Sequence, residues 1–313
     1  MVAALKTSFR KKFPKPQYIY DEHGKKIGKL AKRTKRLNRS TGGTVVLFIF
    51  MGLLAVFMGF PLFLTVSNAL KPLDELFLFP PQIVVRNPTL SNFSDLFVSM
   101  QATWVPFSRY AVNTLIITLG GTLGHLMFAS SAAYALAKVE LPGRKMMFSM
   151  VVLSLMFAAV VTSIPNFIII SSLGLIDTYW AIILPAFSAP LGLYLMKQFM
   201  EQIPDSLVES ARIDGASEYR IYWSIVMPNV KPAWLTLIIL QFQGLWATTG
   251  GIFIRSEELK PLSFAMGQIA GGGIARAGES AAVMFLMMII PVTFFIIAQS
   301  QMIETLTTSG MKD

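Results

Sequence analysis

The 313 residues carry 27 Lys and Arg against 17 Asp and Glu, a net charge of +10, yet charged residues make up only 14% of the chain and apolar ones 54%. Soluble domains run at about 25% charged residues, so this composition excludes an ordinary water-soluble fold and points to a bilayer. The sequence has no cysteine, which excludes structural disulfides and thiolate metal or redox sites.

In chain order, residues 1–43 form a polar, basic arm with Pro14, Pro16 and a Lys/Arg cluster over Lys29–Arg39. It is expected to lie on the anionic inner leaflet; docking of a partner is the other use for it. A spanning helix needs roughly 20 apolar residues, and six segments qualify, at about 44–68, 109–137, 147–170, 180–196, 233–254 and 281–303. Apart from Arg109 at the start of the second, none holds Asp, Glu, Lys or Arg. The fourth is short and carries Pro185 and Pro190, which predicts a kink supported by its neighbours. The first apolar run starts only at Thr44 and has full spanning length, so a signal peptide is not expected.

Between the spans, 69–108 is long, with Pro72, Pro80, Pro81, Pro88 and Pro106, and its Phe77-Leu78-Phe79 suggests partial contact with the interface. Pro142-Gly143 marks a tight turn, and Tyr179 and Trp180 are placed as interface anchors. Residues 255–280 are rich in small residues, including Gly271, Gly272, Gly273 and Gly278. They are expected to be flexible, or to let a partner approach the backbone closely. A short polar tail follows at 305–313.

With the N-terminus inside, the cytoplasmic stretches hold 13, 3, 4 and 1 Lys or Arg and the outside ones only 6. By the positive-inside rule both termini are cytoplasmic. The excess positive charge is thereby a topology signal, and nucleic acid is not expected as a partner. The chain reads as an all-α polytopic membrane protein: the basic arm 1–43, a six-span domain 44–304 with a polar cytoplasmic loop at 201–232, and the tail 305–313.

That polar loop is the anomaly. Ile203, Leu207, Val208 and Ala211 recur at helical spacing with Asp205, Glu209 and Arg212 on another side. Tyr219, Tyr222, Trp223 and Val226 then follow at i, i+3, i+4 and i+7, as an amphipathic stripe. Gly215 between them suits a left-handed turn, and Pro228 and Pro232 suit the end of the second helix and the start of the fifth span. A helix–turn–helix of this shape suits a cleft on another protein. Ser206-Leu207-Val208-Glu209 has the S-x-x-E form of a capping box. Glu209 either caps the helix alone or caps it and also meets a basic group on a partner.

Glu209-Ser210-Ala211, three residues, Gly215, nine residues, then Ile225-Val226-Met227-Pro228 resembles the "EAA" loop of binding-protein-dependent ATP-binding-cassette importers, with Ser210 and Met227 as mild departures. The resemblance extends over 44–313, including Asp214-Gly215-Ala216-Ser217 and the ending Glu304-Thr305 to Gly310-Met311-Lys312, and is similar to the carbohydrate-uptake, maltose-permease inner-subunit branch. It implies a type I importer permease in a bacterial inner or plasma membrane. It further implies a second permease subunit, two cytoplasmic ATPase subunits that bind ATP and Mg, an extracytoplasmic solute-binding protein and a sugar substrate. Glu209, Ser210, Ala211, Asp214, Gly215, Ile225 and Pro228 would then meet the ATPase. Residues Arg255, Glu257, Glu258, Gly271, Gly272 and Gly273 would belong to a loop that probes the docked binding protein, against the plainer alternative of a solvated connection.

Polar residues within spans are Asn113, His125, Asn166, Gln241 and Gln243, with Trp246 beside the last two. Amides and aromatic faces suit sugars, which makes Asn166, Gln241, Gln243 and Trp246 the candidate path; helix–helix glue is the alternative. A permease for a non-sugar solute stays open. An ion-coupled carrier would need ionisable groups at the midplane, where only His125 is available. No phosphate-binding G-x-x-x-x-G-K-[ST] run, H-E-x-x-H or paired intramembrane carboxylate is present, so no catalytic residue, bound metal or cofactor is expected in this chain.

Overall fold

The computed structural model describes residues 18–20, 26–29, 41–101 and 104–309. The basic cluster from 30 to 39 and the tail beyond 309 lie outside the described residues. Two compact units divide the chain, 1–62 and 63–313. The first contains β1 (Tyr18–Tyr20) and β2 (Lys26–Lys29), an antiparallel pair with Tyr18 opposite Lys29, and most of α1 (Thr41–Ala69). The hairpin departs from an all-α chain. Tyr and Ile favour pleated backbone, and these runs are too short to register beside the apolar segments.

The second unit is helical. After the end of α1 come α2 (Leu73–Leu76), α3 (Ser91–Gln101), α4 (Phe107–Lys138), α5 (Arg144–Ser154) and α6 (Ala159–Ser172). Next are α7 (Trp180–Phe187), α8 (Pro190–Glu201), α9 (Asp205–Ile213), α10 (Glu218–Ile221), a π turn (Tyr222–Val226) and α11 (Met227–Asn229). The unit closes with α12 (Lys231–Trp246), α13 (Leu262–Ala270) and α14 (Ala277–Ser309).

Among the described residues four helices are long and apolar enough to cross a membrane: Gly42–Ala69, Phe107–Lys138, Trp180–Glu201 and Ile274–Gln299. A fifth crossing exists if Glu218–Asn229 and Lys231–Trp246, bent by 80°, count as one. Of the six expected segments the fourth is bent, as its prolines predict, and the third and fifth depart from single spanning helices. The segment 147–170 is two helices, α5 and α6, separated by residues 155–158. Neither Gly nor Pro lies in that break, so local propensity does not explain it. The segment 180–196 is likewise α7 and α8, with the break just before Pro190. The segment 233–254 stops being helical at Trp246, ahead of Gly250 and Gly251, which take φ of 80° and 48°.

Helix α4 is the spine of this unit. Gly120, Gly121 and Gly124 leave room for neighbours: a Cβ on Gly124 would sit 2.0 Å from the Phe187 ring, and one on Gly121 2.5 Å from Leu245. Such small-xxx-small spacing lets membrane helices approach closely, where packing replaces the hydrophobic effect. Near the end of α4, Ala129, Ala133 and Tyr134 join a buried cluster with Met196, Met200, Val208 and Ile221. At its start, Tyr110 joins another with Leu96, Met100, Met266 and Ala282.

The connections at 69–108 and 255–280 are built structure. The Glu75 carboxylate accepts from the Arg86 and Asn87 amides at 2.8 and 3.3 Å, and Asn92 Nδ2 donates to the Ala69 and Lys71 carbonyls at 3.0 and 2.7 Å. The expectation of a flexible glycine-rich loop at 255–280 is corrected. Leu262, Met266 and Ile269 recur at i, i+4 and i+7 and are buried, so α13 brings its own apolar face to the core. Gly278 is small because a Cβ there would lie 2.3 Å from Asn92 Oδ1.

Candidate coupling site and membrane path

The polar loop folds as α9, a turn, and the α10–π–α11 run. At the end of α9 the Ala216 amide donates to the Ala211 carbonyl and the Gly215 amide to Arg212, both at 3.0 Å. With Gly215 at φ 80° this is a Schellman cap, which fills the last carbonyls of the helix. Ser217 then caps α10, its hydroxyl accepting from the Arg220 amide at 3.4 Å. The π turn ends with the Met227 amide on the Tyr222 carbonyl. It lies directly before Pro228, which has no N–H to give the carbonyl four residues back.

The capping box is corrected. Pro204 occupies the N-cap with extended backbone, Asp205 is the first helical residue, and Ser206 makes no capping bond. Glu209 therefore has no N-cap amide to serve. It is exposed and, among the described residues, its carboxylate makes no hydrogen bond or ion pair. The aromatic stripe also divides. Tyr222 and Val226 are buried, at 7% and 0% exposure, while Tyr219 and Trp223 are 75% and 43% exposed. The extra residue per π turn rotates the side chains out of α-helical register.

What fastens this loop is the end of α4. Lys138, buried at its last residue, donates from Nζ to the Asp205 carboxylate at 2.6 Å and to the Ile203 carbonyl at 2.5 Å. Arg212 donates to the Lys138 carbonyl at 3.1 Å and, through Nε, to Glu218 at 2.7 Å. Tyr134 donates to the other Glu218 oxygen at 2.5 Å, and the Ser130 and Tyr222 hydroxyls meet at 2.6 Å. Sequence patterning offered no sign of this network, since its members are 65 or more residues apart in the case of Lys138–Ile203 and Tyr134–Glu218.

The Lys138 hydrogen bond and charge hold the Asp205 carboxyl below the usual carboxylate range. Arg212 and then Tyr134 do the same for Glu218. A depressed folded pKa stabilises above the unfolded value and is lost as pH falls through the folded one. The ties accordingly persist from about pH 5 upward. Lys138→Met removes the charge-assisted bond to Asp205 and takes the same donor from the Ile203 carbonyl. Limited proteolysis at the α8–α9 junction should accelerate about tenfold or more, equally at pH 6 and 8; unchanged cleavage would show the tie to be idle.

Of the coupling candidates, Glu209, Ser210, Asp214, Gly215 and Pro228 are exposed, Ile225 is half-buried and Ala211 is buried on the α4 side. Ile213, next to them, is 85% exposed; only its place between Arg212 and Asp214 hinted at it.

The path candidates do not converge. Trp246 is 5% exposed, stacked on Phe242, and donates to the Met287 carbonyl at 3.3 Å. Gln241 donates to the Ala186 carbonyl at 3.2 Å, Gln243 is exposed and Asn166 half-buried. Asn113 is fully buried, giving Nδ2 to the Glu258 and Lys260 carbonyls at 2.8 Å each and accepting from Tyr179 at 2.7 Å. His125 Nδ1 lies 3.0 Å from the Phe187 carbonyl.

At the other end, Asp177, at φ 64°, accepts from the Arg255 and Ser256 amides at 2.9 and 2.8 Å and from the Ser256 hydroxyl. Those bonds, the hydroxyl first, hold its carboxyl below the ordinary range. Glu257 accepts from Tyr110 at 2.6 Å. Arg255, Glu258, Gly271, Gly272 and Gly273 are exposed and Glu257 is half-buried. Among the described residues no group of three or more His, Asp or Glu could hold a metal ion.

A family model described as "Binding-protein-dependent transport system inner membrane component" matches residues 128–308. The chain is 27% identical over 270 residues to the galactooligosaccharides transport system permease protein GanQ of Bacillus subtilis (strain 168), covering 85% of this chain and 94% of that protein. It is 36% identical over 165 residues to Protein LplC of the same organism, spanning 52% of this chain and about half, 55%, of LplC. A crystal structure of a bacterial ABC transporter involved in the import of the acidic polysaccharide alginate has a chain of the same fold, with TM-score 0.71 and 22% identity over 84% of this chain and 98% of that one.

Proposed function

We propose, since this chain belongs to the family of binding-protein-dependent transport system inner membrane components, that it is one permease half of an ATP-binding-cassette importer for a sugar or oligosaccharide. The observation that carries the coupling role is the polar helix–turn–helix 205–229, capped at Gly215 and bonded to the end of α4. Its outward residues Glu209, Ser210, Asp214, Gly215 and Pro228, with Ile213 and Tyr219, form the surface offered to an ATPase subunit. Ala211 and Ile225 seat that surface on the bundle.

The chain crosses the membrane six times in this reading, with the broken pairs α5–α6 and α7–α8 each completing one crossing, and both termini are cytoplasmic. A second permease subunit, two ATPase subunits holding ATP and Mg, and an extracytoplasmic solute-binding protein complete the importer. The segment 255–260 and the glycines 271–273 face the binding protein. Asn166 and Gln243 have polar ends free for the solute path, with Gln241 and Trp246 supporting it from behind. ATP binding draws the coupling loops together and turns the path outward, and hydrolysis returns it inward.

The test is uptake by proteoliposomes holding the four kinds of subunit, using labelled galacto-oligosaccharide, maltotriose, alginate oligosaccharide and glycerol 3-phosphate. ATP-dependent uptake of a sugar that vanadate stops and a protonophore does not is the expected result. Uptake that survives ATP depletion, or that is confined to glycerol 3-phosphate, overturns the reading.

A further inference from the structure

Two membrane segments are interrupted near mid-length, and both interruptions border one cavity. It is an open cavity of about 570 Å3, lined by Ser154 and Phe157 at the α5–α6 break, Asn166 on α6, and Ser188 at the α7–α8 break. That volume falls in the common small-ligand range of about 300–1,000 Å3. Non-helical backbone at membrane depth is tolerated only inside protein or against a wet cavity.

The far side of the α7–α8 break is sealed. Pro190 has no N–H for the Ala186 carbonyl, and Gln241 supplies a donor instead at 3.2 Å. The Phe187 carbonyl is met by His125 at 3.0 Å. The remaining side opens onto the cavity.

Its polar side chains are Ser154, Thr162, Asn166 and Ser188, of which Thr162 is already engaged elsewhere. The Ser154 hydroxyl donates to the Val151 carbonyl at 2.6 Å and the Ser188 hydroxyl to Pro185 at 2.9 Å. Both oxygens thus present only lone pairs to the cavity. The Asn166 carboxamide has no hydrogen-bond partner among the described residues and offers two donors and an acceptor. Phe157 is 57% exposed and supplies an apolar face. No charged side chain lines the space.

Resting on the sugar-importer reading, we propose that this cavity is a subsite of the path for a neutral polyhydroxyl ring. Sugar hydroxyls donate hydrogen bonds to the two serine oxygens, exchange hydrogen bonds with Asn166, and lay a C–H face on Phe157. An anionic sugar finds no cation here and would shed its hydration uncompensated.

Because the chain has no cysteine, Asn166→Cys and Ser188→Cys place single thiols in the cavity. Ile168→Cys, on the opposite side of α6, 60% exposed and outside the cavity lining, is the control. The assembled importer, checked for retained ATPase subunits by size exclusion, is treated with a water-soluble methanethiosulfonate. At positions 166 and 188 modification should be about tenfold faster than at 168. Galacto-oligosaccharide or maltotriose, whichever is taken up, should slow it about fivefold or more, and alginate oligosaccharide should not.

Thiols at 166 and 188 as slow as at 168, or sugar uptake without protection, overturn the subsite and leave the importer reading standing. Protection by alginate as strong as by the neutral sugar overturns the neutral class. Uptake of none of the sugars overturns the importer reading and the subsite with it.

Discussion

Gly215→Val is expected to cut ATP-driven uptake by about a hundredfold, while Gly215→Asn keeps most of it. Gly215 holds φ at 80°, and a Cβ added there meets nothing within 4 Å, so any penalty is in the backbone and not in space. Left-handed backbone costs an ordinary residue about 1–2 kcal/mol, and more when the side chain is β-branched. Asn tolerates the region. Valine would relax toward a helical φ, break the bonds from Ala216 and Gly215 to Ala211 and Arg212, and re-aim α10 away from α9. The readouts are uptake and co-purification of the ATPase subunits. If valine left both intact, the angle between α9 and α10 would have no part in coupling.

Asn113→Leu is expected to release the 257–260 segment from α4. The Lys260 carbonyl loses its donor and the Tyr179 hydroxyl its acceptor, while the Glu258 carbonyl keeps only the exposed Arg109 Nε at 3.2 Å. Each buried orphan costs about 1–3 kcal/mol, with little water available to replace the partner. Asn113→Asp keeps the acceptor for Tyr179 and should fall between. Affinity for the solute-binding protein should drop about tenfold or more, with the ATPase subunits still attached. Proteolysis within 255–261 without any change in that affinity would show that the segment is not the docking surface.

The helix–turn–helix at 205–229 was legible in sequence because its signals are local. Gly215 can be read from backbone chemistry alone, and Pro228 from its missing donor. The S-x-x-E run misled for an equally local reason: Pro204 fits the N-cap backbone and moves the helix start one residue ahead of Ser206. Apolar length located the membrane segments, but composition does not report a break such as 155–158, which contains no Gly or Pro. Asn113, His125 and Gln241 illustrate the deeper limit. A polar residue in an apolar run is visible, but whether it meets a solute or a backbone carbonyl depends on a segment 55 to 147 residues away. The glycines of 271–273 masked the i, i+4, i+7 pattern of Leu262, Met266 and Ile269 just ahead of them.

The bonds from Lys138, Tyr134 and Ser130 to Ile203, Asp205, Glu218 and Tyr222 make the loop and the last turns of α4 one block. A chimera that imports residues 203–229 from a relative, to change which ATPase is recruited, would inherit mismatched ends unless 130–138 travel with them. The transferable module is thus discontinuous in sequence, and recombination points should be set by its two stretches together.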